Sequence, residues 1–215
     1  MDFIALASEC APWVAPQTLE AIVKTESHFK PLAIGVNGGA RLQRQPENRE
    51  EAVVTAQWLL DNGYNIDLGL GQVNSANLSK TGLTIEDAFD PCKNLAAAGT
   101  IFGWNYQDAS RLYPGDQALY AALSAYNTGS FSDGITNGYV QKVLNNMSTP
   151  AAAKAQTAPA VEPIPLIEGA KRPAKPQAKA QDPIDQPVKL KLETAQQAPT
   201  TDVYGTHNPD VMVYR

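Results

Sequence analysis

The sequence predicts a mainly α domain with one small β-hairpin, followed by a disordered tail. Three observations carry this. Apolar residues recur at helical spacing in a series of stretches before residue 150, Asn37-Gly38 marks a tight turn between short runs, and the composition changes abruptly near residue 150. Both cysteines, all three tryptophans and every aromatic residue except Tyr204 and Tyr214 precede that point, whereas ten of the sixteen prolines fall from Pro150 onward. The 215-residue chain therefore divides into a folded domain over 1–149, a Pro/Ala/Lys-rich disordered linker over 150–202 and a short C-terminal segment over 203–215.

Residues 3–11 read as a short first helix, ended by Pro12. In the next helix, from Pro16, Leu19, Ile22 and Val23 fall at i, i+3 and i+4, and the following position on that face is Glu26. An acid on an apolar face has two readings. Either it sits at the floor of a cleft, where desolvation raises a carboxyl pKa toward the range of a general acid, or it lies solvated at the stripe's margin. Pro31 stops the helix just beyond, so Glu26 belongs to its last turn, next to Ser27 and His28.

After Pro31, the run Leu32 to Val36 leads into Asn37-Gly38, which predicts a hairpin with Arg41 and Leu42 on the return strand. Asn48 with Glu51 reads as a capping box for a helix that continues through Ala52, Val53, Ala56, Leu59 and Leu60 to Gly63. Residues 66–74, IDLGLGQVN, read as a strand or loop in which Gly69 and Gly71 admit a close neighbour. No GxxxxGK[ST] phosphate loop is present. Asp90-Pro91 caps and opens a long helix over 91–112, with Leu95, Ala98, Ile101 and Phe102 on one face. Helices over 116–126 and 138–147 complete the domain, the former presenting Leu119, Ala122, Leu123 and Tyr126 and stopping at Asn127-Thr128-Gly129.

Charge and spacing exclude several function classes. Residues 1–150 carry nine basic and fifteen acidic residues, net −6, and no basic stripe of the kind nucleic-acid binding needs. No stretch has the length of a membrane span, and Met1 to Pro16 lacks the basic start and uninterrupted apolar core of a signal peptide. Two histidines without HExxH, and two cysteines far apart, argue against a metal site or cofactor. Cys10 and Cys92 read either as a disulfide tying the N-terminal segment to a later helix or as two buried free thiols. Beyond residue 150 the chain cannot bury enough apolar surface to fold, and Val203 to Arg215 reads as a docking peptide or as a frayed tail.

Glu26-Ser27 at a helix end, Gly69-Leu70-Gly71-Gln72, and Ala125-Tyr126-Asn127-Thr128-Gly129, followed by Tyr139-Val140-Gln141-Lys142-Val143, occur in this order. Together they resemble the catalytic domain of the soluble lytic transglycosylases, a branch of the goose-type lysozyme fold. The start at Cys10 to Thr18, the AIGVNGG segment over 33–39 and DPCKNL over 90–95 are similar to the small transglycosylases that accompany type IV secretion and conjugation machines. The resemblance covers about residues 8–147. One position departs from it: where the wider family often has Met, this chain has Gly71.

The resemblance implies a lysozyme-like fold and cleavage of the β-1,4 bond between N-acetylmuramic acid and N-acetylglucosamine in peptidoglycan, leaving 1,6-anhydro ends. It implies Glu26 as acid and then base, with Ser27, Gly69, Gln72, Tyr126, Asn127 and Tyr139 as substrate-contacting or supporting residues. For each a structural role stays open: Ser27 capping the turn, the glycines making a turn, Gln72 solvated, Tyr126 and Tyr139 packed, and Asn127 capping its helix in the left-handed conformation. The implied setting is the periplasm, with glycan strands as substrate and the tail as a candidate contact for secretion-apparatus components. A hydrolytic lysozyme on the same fold would need a second carboxylate, for which Glu47, Glu50 and Asp67 are the candidates nearby in sequence. A non-catalytic glycan-binding module, with the tail as tether, is the third reading.

Overall fold

The computed structural model describes residues 2–147 and 166–167 of the chain. Helix α1, Phe3–Cys10, is capped by the Asp2 carboxylate, and α2, Pro16–Glu26, buries Leu19, Ile22 and Val23 completely. The expected apolar stripe thus faces the core, and Glu26 is the last residue of its helix. The chain leaves α2 through His28 and Phe29, both left-handed, at φ 53° and 61°. That is an uncommon conformation for residues with a side chain. Phe29 meets Phe3 edge to face, with ring centroids 5.2 Å apart, which closes α1 over this turn.

The hairpin expectation is corrected. Strand β1, Ile34–Val36, does reach a turn, with Gly38 and Gly39 at φ 89° and 95°. However, the return strand β2, Arg41–Leu42, does not pair with it. The physical reason is a competitor for the same backbone groups. Gln45 lays its side-chain amide along Ile34, accepting from its N–H at 2.8 Å and donating to its carbonyl at 3.0 Å. Strand β1 pairs instead with β3, Ile66–Leu68, in antiparallel register Ile34↔Leu68, and β3 continues to β4, Val73–Asn74.

Strand β2 takes a partner from the tail. Leu166–Ile167 forms β5 and pairs antiparallel with β2, Arg41↔Ile167 and Leu42↔Leu166. These residues fall within the stretch expected to lack order, and they belong to one of its few β-prone apolar runs; an open strand edge offers such a run backbone partners. The other residues of 150–202, and all of 203–215, lie outside the described residues.

Helix α3, Arg49–Asp61, begins at the predicted cap: Asn48 Oδ1 accepts from the Glu51 N–H at 2.8 Å, while the Glu51 carboxylate accepts from the Glu47 N–H at 2.8 Å instead of closing the box on Asn48. Glu51 is almost fully buried, and Arg44 grips both of its oxygens, which holds its carboxyl below the usual range. After β4 come a 3-10 turn at Ser75–Asn77, a short helix α4, Leu78–Thr81, and a second 3-10 turn at Asp87–Phe89, none of which the periodicity foretold. The long helix α5, Pro91–Ser110, is capped by Asp90 through the Lys93 N–H. It packs along α6, Asp116–Thr128, while α2 packs against α8, Tyr139–Met147. Between α6 and α8 in the chain lies the short helix α7, Asp133–Thr136, which packs on both. Helix α6 runs past Asn127 to Gly129, which takes the left-handed cap at φ 75°, so Asn127 is helical rather than the terminating residue.

Cys10 and Cys92 form a disulfide, joining the end of α1 to the first turn of α5. No helix among the described residues is long and apolar enough to cross a membrane, and no cluster of possible metal ligands occurs among them.

Candidate active site

Helix α2, the small sheet, α5 and α6 converge on an open cleft. Glu26, Asp67, Gln72, Val73, Asn74, Asn77, Ile101 and Tyr126 line it. Glu26 is there because the apolar face of α2 carries it inward at the helix end, where the wall formed by Leu19, Ile22 and Val23 gives out. Ile101, from the apolar face of α5, packs against the core and also borders the cleft.

Tyr139, at the start of α8, is buried and donates its hydroxyl to Glu26 Oε1 at 2.7 Å. Burial, and then the adjacent Glu26 charge, push its phenol well above the ordinary tyrosine value. The proton therefore stays on the phenol oxygen, which donates it to the Glu26 carboxyl group in a hydrogen bond. Tyr126 is also pushed well up by burial, with Glu26 and Asp67 adding to the effect. Its hydroxyl donates to the Gly71 carbonyl at 2.7 Å, so Tyr126 borders the cleft while holding the glycine loop.

That loop explains its two glycines. A Cβ on Gly69, which lies at φ 73°, would stand 2.3 Å from both the Ala88 carbonyl and Asn94 Nδ2. One on Gly71 would stand 2.5 Å from Ala98 Cβ and 3.0 Å from the Tyr126 hydroxyl. The close neighbour the sequence asks for is therefore α5 and its approach. Met at position 71, as in the wider family, does not fit this packing.

Asn94 is the residue that sequence reasoning passed over. Almost fully buried, it accepts from the Gly71 N–H at 2.7 Å and donates to the carbonyls of Leu68 and Ala88 at 2.9 and 2.7 Å. The signal available was an amide on the inner side of a helix between apolar residues. Gln72 leaves the loop in the left-handed region, φ 48°, and its amide nitrogen donates to the carbonyls of Ala33 and Gly69, both at 3.0 Å. It is neither an extended nor a merely solvated side chain.

The remaining predicted residues stand around the cleft rather than in its lining. Ser27 is buried and its hydroxyl lies on the Val23 carbonyl at 3.2 Å, closing the last turn of α2. Asn127 accepts from Asn137 at 3.2 Å. Asp67, by contrast, is brought into the cleft with Glu26, while Glu47 and Glu50 do not line it.

The chain matches the transglycosylase SLT domain family over residues 3–147. It is 41% identical over 239 aligned positions, 99% of each chain, to the type IV secretion system protein VirB1 of Brucella suis biovar 1. It is also 42% identical over 143 residues to protein VirB1 of Agrobacterium fabrum, covering 66% of this chain and 58% of that one. No solved structure matches it. A lysozyme-like helical domain with a glutamate at the end of a buried helix, a match to the family over most of its length and this level of identity place the chain in the SLT transglycosylase family, as a lytic transglycosylase of peptidoglycan.

Proposed function

We propose that Glu26 is the acid and base of this lytic transglycosylase, that the products carry 1,6-anhydromuramic acid ends, and that the cut opens the wall locally for a type IV secretion or conjugation apparatus. The observation that supports the catalytic reading is the Glu26 carboxylate in the cleft, held by the Tyr139 hydroxyl. Glu26 gives its proton to the glycosidic oxygen as the bond from that oxygen to C1 of N-acetylmuramic acid breaks. The 2-acetamido oxygen of the same sugar bonds to C1, leaving a bicyclic oxazolinium cation. Glu26, now a carboxylate, takes the proton of the C6 hydroxyl as O6 attacks C1 and the acetamido oxygen departs. No water enters, and Glu26 ends as it began.

In this reading Gln72 and Tyr126 present the cleft wall to the glycan, while Ser27, Gly69 and Asn127 support it from behind. The substrate lies outside the inner membrane, so the periplasm is the working compartment, and the tail beyond the domain contacts apparatus components. The Brucella suis relative carries type IV secretion in its name, which supports this setting.

Mass spectrometry of peptidoglycan digested by the full chain, beside Glu26→Gln, tests the proposal. Muropeptides lighter by one water than lysozyme products, and missing with the variant, are the expected result. Intact activity in Glu26→Gln would remove Glu26 from the chemistry. Reducing ends would favour hydrolysis, a second reading that gains weight from one observation, the presence of Asp67 in the cleft.

A further inference from the structure

The small sheet carries, around its central strand, an amide scaffold that the transglycosylase chemistry above leaves unused. Asn37 Nδ2 donates to Asp67 Oδ2 at 2.9 Å and Asn74 Nδ2 donates to Asp67 Oδ1 at 2.7 Å. Asn65 Oδ1 in turn accepts from both Asn37 and Asn74 at 2.7 Å, and its own amide nitrogen donates to Asn74 Oδ1 at 3.1 Å. Asn65, the residue before β3, lies two positions from Asp67 and so falls on the same side of the chain, and Asn74 stands opposite Asp67 in the β3–β4 register. Each Asp67 oxygen thus accepts from an amide, an arrangement that suits a fixed carboxylate. The geometry is built around this residue: Asn37, from the turn after β1, and Asn74, from β4, each donate to one oxygen of an acid in the cleft, and Asn65, just before β3, ties those two asparagines together.

We infer that Asp67 is a further catalytic residue of this enzyme. Its carboxylate accepts the N–H of the substrate's 2-acetamido group, turns the acetamido oxygen toward C1 and stabilises the oxazolinium cation. Asn37, Asn65 and Asn74 are its positioning residues. No proton moves to Asp67: the acetamido N–H stays covalent, and the charge that develops on the N–C–O unit is balanced by the carboxylate beside it. A preorganised anion aimed at developing positive charge stabilises the transition state more than the ground state. This rests on the anhydro-forming reading of the cleft.

The test uses the full chain and two ligands measured by calorimetry, the disaccharide N-acetylglucosaminyl-N-acetylmuramic acid and its thiazoline analogue, which mimics the bicyclic ion. Asp67→Asn is expected to slow wall digestion and to weaken the thiazoline by about 10- to 100-fold, with the plain disaccharide changed by less than about threefold, the effect of losing a charged acceptor. Equal weakening of both ligands would mean a purely structural role, and turnover and thiazoline affinity near wild type would equally overturn the inference. Should Asp67→Asn fail to fold, Asn74→Ala keeps the carboxylate and removes one of its donors. It is expected to lower the thiazoline preference by about fivefold to tenfold, and an unchanged preference would sink the idea. Glu26→Gln run alongside separates the two claims. An inactive Glu26→Gln with a normal Asp67→Asn defeats only this inference, whereas an active Glu26→Gln defeats the acid–base reading beneath it.

Discussion

At the scale of single residues, the Tyr139 hydroxyl on Glu26 Oε1 is the contact that most directly shapes the acid. It joins groups 113 residues apart in the chain, from the end of α2 and the start of α8. A donor fixed on one carboxyl oxygen holds the side chain in a single rotamer. Tyr139→Phe keeps the buried ring and deletes only the donor. It is expected to lower turnover by about 10- to 100-fold, the equivalent of one hydrogen bond to a charged group, with thermal stability changed little. Steady-state digestion of purified peptidoglycan and a melting curve check the two halves of that expectation. Tyr139 was legible as a candidate only through its family pattern, because a tyrosine on an apolar helix face looks the same whether it packs or donates.

At the scale of elements, α5 does more than fill the core. Through Asn94 it holds the Gly69–Gln72 loop against its own first turns, and through Ala98 it requires Gly71. The Gly71 peptide is gripped on both sides, its N–H by Asn94 and its carbonyl by Tyr126 from α6. Asn94→Ala would strand three buried backbone groups, so it is expected to cost at least about 3 kcal/mol of unfolding free energy, measured by denaturant titration. A cost below about 1 kcal/mol would mean that the loop holds itself. The hairpin shows the opposite lesson about elements. Asn37-Gly38 made the turn it promised, yet Gln45 took the hydrogen bonds that the return strand was expected to make. Turn chemistry sets a reversal of the chain, not the identity of the strand that pairs.

At the scale of the whole molecule, the Cys10–Cys92 bridge links α1 to α5 across 82 residues of sequence, a loop that contains α2, the three-stranded sheet and most of the cleft lining. Replacing both cysteines by serine is expected to lower stability by about 2–5 kcal/mol, read as a shift in the denaturant midpoint. Reducing agent should produce the same shift in the native chain and none in the variant. The bridge also fits an oxidising compartment, in line with a wall-facing enzyme. The tail enters this picture through β5, which adds a strand to β2 at the outer edge of the domain.

The longer helices, the caps Asn48 and Asp90 and the position of Glu26 at the end of an apolar stripe were determined by the sequence alone, because each depends on local spacing: period 3.6 for the stripe and Pro31 as a stop; whether Glu26 met a cleft or solvent was not. What faces Glu26 was decided only by the tertiary structure. Asp67 and Tyr139 reach the same cleft or the same carboxylate from distant segments, and the choice of disulfide over free thiols required two helix ends to meet in space. Local pattern reports which face of an element is buried. It carries no information on which other element buries it, and an active site is made of those second assignments.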